Sequence, residues 1–324
     1  MKKIGILVLI GVLSLNSIGL ATKKNKVNEV DKNEIISANN ENSKKKRSVW
    51  SKFLKKKDKD SWELVWNDEF DGDSLDLSKW SYWENDNPSK NGNFVDENGN
   101  LIDQYGFQAK QYYLTDNVKV KNGNLVIEVK KEDNKTVKID GVDRKILYSS
   151  GAIHSKDKYS VRYGKIEMRA ILPKGVGVWP AFWTWPFDYA IKKIGDPAAL
   201  EEIDIVEVYG DNLKKVTGTI HALKADSQYA SFIGNDLKIK KNEDLSRFNT
   251  YAVEWDDKEI KWFFNGRNYK TITMKEVAKQ TENTFKLPHY LIINVALTNR
   301  TGNDGDIEFP TEMQVDYVRV YKKK

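Results

Sequence analysis

Residues 202–207 read Glu202-Ile203-Asp204-Ile205-Val206-Glu207. β-Branched residues fill the spaces between the acids, so the segment reads as a strand. Side chains two apart on a strand share a face. Glu202 and Asp204 therefore point together, with Ile203 and Ile205 opposite. Glu207 has the wrong parity for the acidic face. A single bulge near Ile205-Val206 corrects it, and bulges re-aim side chains in this way. Three carboxylates on one strand face repel each other and cost stability unless something uses them. Attack on a glycosidic bond with retention uses two carboxyl groups about 5–5.5 Å apart. The outer Cα atoms here lie roughly 13 Å apart, a gap that two inward-leaning glutamates close. One acid must be ionised as nucleophile and the other protonated, with Asp204 coupled to both. Spacing does not say which glutamate is which. The same spacing would also suit a polar strand face or a calcium site.

Outward from this segment the texture is similar from Ser61 onward. Short β-rich runs include Trp62–Trp66, Leu125–Val129, Tyr163–Ala170, Val216–His221, Tyr251–Trp255, Ile260–Phe264, Tyr290–Ala296 and Val315–Tyr321. Asn122-Gly123-Asn124 and Asn265-Gly266 are hairpin-turn signals. Met274–Gln280 is a candidate short helix. Many short strands with turns between them predict an all-β fold, a jelly-roll sandwich of two antiparallel sheets. No internal repeat is visible.

The N-terminus reads differently. Lys2 and Lys3 precede an apolar run from Ile4 to Leu13, and Gly19-Leu20-Ala21 offers cleavage before Thr22. Residues 1–21 are thus predicted to be a secretory signal, and the protein to be secreted, extracellular or periplasmic. No transmembrane domain is expected after cleavage. The chain has no cysteine, which excludes a disulfide framework, a thiolate metal site and a lipid anchor at the signal. Residues 22–60 hold thirteen Lys/Arg against six Asp/Glu and read as a disordered linker. This basic tail is suited to touch an anionic wall or membrane surface. The net charge of +6 belongs to the N-terminal segments, because residues 61–324 carry 38 basic against 41 acidic residues. Nucleic-acid binding thereby loses its main support. Residues 61–324 are predicted to be one catalytic domain, and a monomer is expected.

With the motif in view, the chain resembles glycoside hydrolase family 16. Glu202–Glu207 resembles that family's signature in its bulged form, which is associated with laminarinases, other β-glucanases and β-galactanases. ELVWNDEFDG (63–72), YGKIEMRAILPKGVGVWPAFW (163–183), FNTYAVEWDDKEIKWFFNG (248–266) and MQVDYVRVY (313–321) resemble further family segments, in order, over about residues 61–322. The resemblance implies Glu202 as nucleophile, Asp204 as assisting acid and Glu207 as acid/base. It implies a concave substrate groove and a retaining double displacement. It also implies no cofactor for catalysis, and a structural calcium held by Glu69, the Gly123 carbonyl and Asp316, a hard oxygen set that suits the ion.

The surroundings fit a polysaccharide partner. Trp179 and Trp183 are expected near sugar, since aromatic rings stack on pyranose faces. Trp185 is a further member of the cluster. The resemblance adds His221 and Tyr112 of Gln111-Tyr112-Tyr113 to the groove, whereas His154 and His289 are expected to be structural. Some laminarinase features are missing. Asp196–Glu201 replaces a Trp-Pro pair, Ala152 stands where many have Arg, and Phe107-Gln108-Ala109 replaces an Asn-x-Glu-type stretch. The expected activity is endo-hydrolysis of β-1,3- or mixed β-1,3/1,4-glucan. A β-galactanase of the agarase or porphyranase kind, a transglycosylase and a non-catalytic lectin-like protein are the alternatives.

Overall fold

The segment Gly164–Ile171 buries every second residue, Gly164, Ile166, Met168 and Ala170. That period is what a strand with one wetted face requires. It pairs antiparallel with Asn249–Trp255 on one side and Thr311–Lys323 on the other. A computed structural model describes residues 62–83, 92–95, 101–102, 109–139, 141–186, 201–223, 229–231, 236–281, 285–298 and 307–324. The predicted signal (1–21) and linker (22–60) lie outside the described residues, as do the stretches 103–108 and 187–200 that hold most departures from the laminarinase pattern.

Leu64–Lys322 forms one compact unit, and its fold is nearly all β. A ten-stranded sheet contains Glu259–Phe264 and Arg267–Thr273 at one end. An eight-stranded sheet contains Val178–Pro186, Glu201–Glu207, Lys215–Leu223 and His289–Leu297. A small four-stranded sheet gathers Phe94–Val95, Leu101–Ile102, Thr136–Ile139 and Val142–Lys145. The main core draws side chains from both large sheets, among them Ile166, Met168, Phe182, Ile203, Ile220, Val253 and Val318. The architecture is the expected jelly-roll β-sandwich. In the second unit, Met1–Glu63 with Lys323–Lys324, Lys323 Nζ lies 5.7 Å from the Trp62 ring centre.

Both Asn-Gly pairs form the predicted turns. Asn122 and Gly123 have φ of 55° and 69°, and Asn265 and Gly266 have 49° and 74°. Two successive positive φ angles are the mark of the type I′ hairpin that Asn-Gly favours. The helix is shorter than expected, Met274–Val277, and opens with a capping box between Thr273 and Glu276.

Candidate active site

The carboxylate strand Glu201–Glu207 runs antiparallel between Val178–Pro186 and Lys215–Leu223. Asp204 faces Trp183 on one neighbour and Thr219 on the other. Val206 faces Phe182, and Glu207 faces Ala181 and Thr217. The register therefore slips by one residue on both sides, between Asp204 and Val206 against Val178–Pro186 and between Asp204 and Glu207 against Lys215–Leu223. This is a β-bulge at the predicted place. Ile203, Ile205 and Val206 are buried in the core. Glu202 and Glu207 are half-buried and Asp204 is buried. Directly opposite residues on neighbouring strands share a face, so Glu202, Asp204, Glu207, Trp183, Thr219 and Thr217 all lie on the sheet's outer face. Glu201 turns inward instead. It is 1% exposed, accepts from the Leu287 N–H at 3.4 Å and lies 3.8 Å from His289 Nε2.

The three outer acids are electrostatically linked. His221, opposite Glu202, brings Nε2 to 3.0 Å from Asp204 Oδ2. Trp179 donates its indole N–H to Glu207 Oε1 at 3.0 Å. Burial, and then the neighbouring Asp204 charge, pushes the Glu202 carboxyl well above the usual carboxylate range, against the pull of His221. Burial and then Glu207 push Asp204 up, opposed by its hydrogen bond with Glu202 and by Lys270. Burial raises Glu207, with His221 and the Trp179 N–H acting the other way. Low polarity and like charge thus disfavour full ionisation of the trio, so protons are shared within it. Chemically, the arrangement can offer one anionic oxygen and one acidic proton from the same wall. The donor atoms of Glu202, Asp204 and His221 lie within 4.8 Å of one another, close enough for a cation. His221 Nε2 faces Asp204 Oδ2 at 3.0 Å, and that oxygen accepts no hydrogen bond among the described residues.

Aromatic groups extend from the acids across the same face. Trp179, Trp183 and Trp185 alternate with buried residues along Val178–Pro186 and are all half-buried. Trp179 stacks on Tyr209 at 5.3 Å, and Trp183 meets Trp185 edge-on at 5.8 Å. Trp183 donates to Asn294 Oδ1 at 2.8 Å, and Asn294 Nδ2 donates to the Tyr113 hydroxyl at 3.0 Å. Trp83 lies 6.4 Å from Tyr113 and 5.8 Å from His154, which lies 6.1 Å from Tyr290. Sequence reading missed Asn294, Tyr113 and Tyr209. Asn294 was traceable, being the polar residue in step with Tyr290 in an otherwise apolar strand.

Tyr112 requires a correction. It is 2% exposed and packs with Leu114, Ile139 and Ile146 in a small second core, so its ring is not available to sugar. Tyr113, the next residue, takes the outer-face position. His289 is buried, contacts Thr184 Oγ1 at 2.8 Å and lies against Trp255, as a structural histidine does. His154 is buried too, but at the edge of the aromatic row.

The expected calcium ligands fit that ion poorly. Glu69 accepts Arg319 Nε at 2.8 Å and Nη2 at 2.7 Å. Asp316 pairs with Arg169 Nη1. Each carboxylate already has a cationic partner, so calcium would have to displace an arginine or rely on carbonyls such as that of Gly123.

The comparisons agree with this geometry. Residues 107–319 match the family described as glycosyl hydrolases family 16. Glucan endo-1,3-beta-glucosidase A1 of Niallia circulans is 36% identical over 81% of this chain and 38% of its own length. The beta-glucanase of Rhodothermus marinus is 32% identical over 81% of this chain and 85% of its own length. The chain thus spans well under half of the first relative and most of the second. The laminarinase catalytic domain of Thermotoga maritima superposes with a TM-score of 0.67 at 32% identity, covering 82% of this chain and all of that domain. With the family match spanning most of the described sandwich and the bulged acid strand inside it, the chain belongs to the glycosyl hydrolases of family 16.

Proposed function

We propose that the protein is a secreted, retaining endo-glycosidase acting on β-1,3- or mixed β-1,3/1,4-glucan. The observation that carries this reading is the bulge that places Glu202, Asp204 and Glu207 on one face. Glu202 attacks the anomeric carbon while the bond to the leaving oxygen breaks, and Glu207 delivers its proton to that oxygen. Glu207, now anionic, takes a proton from water, and the resulting hydroxide-like oxygen displaces Glu202 from the glycosyl ester. For attack, the proton shared by Glu202 and Asp204 must pass to Asp204, against the direction of their hydrogen bond, which favours the proton on Glu202 before substrate arrives. Trp179 and Trp183 supply stacking surfaces for the sugar rings.

The glucan assignment is supported by the β-glucanases and the laminarinase domain that the chain is similar to. Retention of all three acids favours an enzyme over a lectin. Transglycosylation would follow from the same intermediate if sugar replaced water as acceptor. The N-terminal leader and basic linker fit export and attachment to an anionic surface. The direct experiment incubates the protein with laminarin, lichenan, agarose and porphyran and follows new reducing ends. Release from laminarin or lichenan that vanishes in Glu202→Ala supports the reading. Release that survives this substitution contradicts the nucleophile, and binding without release favours a lectin.

A further inference from the structure

The bulge that gathers the acids interrupts the ladder on both sides of the carboxylate strand. A buried carbonyl at such a break needs a donor from elsewhere. The donor at Asp204 comes from the opposite sheet. Trp262, at the middle of Glu259–Phe264 and fully buried, gives its indole N–H to the Asp204 carbonyl at 2.7 Å. The indole reaches that far because Gly218 leaves the space: a Cβ there would come within 2.2 Å of Trp262 Cδ1. Lys270, paired with Trp262 across the hairpin, lies 4.9 Å from its ring centre and donates to the Gly218 carbonyl. The hairpin carries a register shift of its own at this point, between Trp262 and Phe263. Asn268 Nδ2 staples it by donating to the carbonyls of Trp262 at 3.1 Å and Lys270 at 3.0 Å.

We infer that Trp262 is a positioning residue for the reaction: from behind the sheet, its indole N–H fixes the bulge that sets the spacing of Glu202, Asp204 and Glu207, with Gly218 and Lys270 holding the indole in place. None of the three faces the substrate side. Two irregular strands are locked together through one hydrogen bond, so a change in the core is transmitted to the acids. Misplacement of reacting groups by about 1 Å is enough to cost on the order of 100-fold in rate. Lys270 adds an electrostatic contribution. Its charge opposes the upward shift of Asp204, while burial lowers its own pKa to about 8 against the pull of Asp236 and Asp204. Asp236 also holds Lys215 at 2.6 Å and accepts from Thr217, and Asp204 meets Glu202, Glu207 and His221. This inference rests on the proposed roles of the acids.

The test compares wild type, Trp262→Phe and Lys270→Met on whichever polysaccharide of the panel wild type cleaves, with full pH profiles and melting curves. Trp262→Phe removes the N–H together with part of the bicyclic indole, and the melting curve reports the packing lost with it. The expected result is a fall in kcat of roughly 10- to 100-fold with KM changed less than about twofold. For Lys270→Met a several-fold fall in kcat is expected, with the acid limb displaced to higher pH because the coupled Glu202–Asp204 pair loses a nearby cation. Should Trp262→Phe fail to fold, Lys270→Met decides alone. An unchanged kcat and acid limb, with only a lower melting temperature, would mean plain packing and would overturn the inference while leaving the acids' roles intact. No cleavage by wild type on any polysaccharide would overturn both.

Discussion

Trp179 donates its indole N–H to Glu207 Oε1 at 3.0 Å, so one residue both stacks on Tyr209 and tunes a carboxyl group. The hydrogen bond favours the ionised form and works against burial, which raises the Glu207 pKa. Trp179→Phe removes the bond and keeps an aromatic surface. The Glu207 pKa then rises further, and the alkaline limb of the kcat/KM profile moves to higher pH. A pH–rate series on laminarin checks this, and a limb that stays in place would remove Glu207 as the proton donor.

The proposed reaction gives the two ends of the strand different roles, and small anions can tell them apart. Glu202→Ala and Glu207→Ala should each lower hydrolysis by ~10³-fold or more. With an aryl β-glycoside, which needs little protonation to depart, azide can enter either vacated space. In Glu202→Ala it attacks directly and yields the α-glycosyl azide. In Glu207→Ala it intercepts the ester on Glu202 and yields the β-glycosyl azide. NMR of the products reads the assignment, and the reverse pairing would exchange the roles.

Burial and like charge at the acids should cost the fold stability at neutral pH. Their folded-state pKa values are raised above the ordinary values of about 3.9 for Asp and 4.3 for Glu. A raised carboxyl binds protons more tightly in the folded state, so no penalty exists below the unfolded pKa. The penalty grows as pH rises from there through the folded pKa. Asp204→Asn should therefore raise Tm at neutral pH by a few degrees, on the order of 1 kcal/mol, and raise it less near pH 4. Activity should fall in the same variant. Melting curves at the two pH values check the sign.

The Arg319–Glu69 pair lies away from the acids and should affect stability alone. It is bidentate and only partly exposed, with side-chain exposures of 15% and 33%. Allowing for solvent screening, Arg319→Ala should cost about 1 kcal/mol and lower Tm by roughly 2–4 °C, with kcat unchanged. Chelator should leave kcat unchanged as well, since no step of the proposed reaction passes through Glu69 or Asp316. A rate that falls with chelator and returns with calcium would contradict this.

What the sequence made legible was local. Asn122-Gly123 and Asn265-Gly266 could be read because a tight hairpin demands two positive φ angles that Asn and Gly tolerate. The bulge could be read because Glu207 was out of step with two acids already in phase. Choosing between Tyr112 and Tyr113 was not possible from three residues of strand. Their facing is set by a parallel pairing with Tyr148–Ser150, far along the chain. The position of Asn294 was traceable from its step with Tyr290, but what Asn294 and Trp262 bind was hidden. Their partners, Trp183 and the Asp204 carbonyl, lie 111 and 58 residues away, and only the closed sandwich brings them together.

The proposed double displacement, with the nucleophile covalently engaged before water enters, makes a stereochemical demand that an activity assay alone does not test. The anomeric configuration of the first sugar released from laminarin, followed by ¹H NMR before mutarotation, measures it. Initial release of the β-anomer is the expected result. Initial release of the α-anomer would mean single displacement by water, and Glu202 would not be the nucleophile.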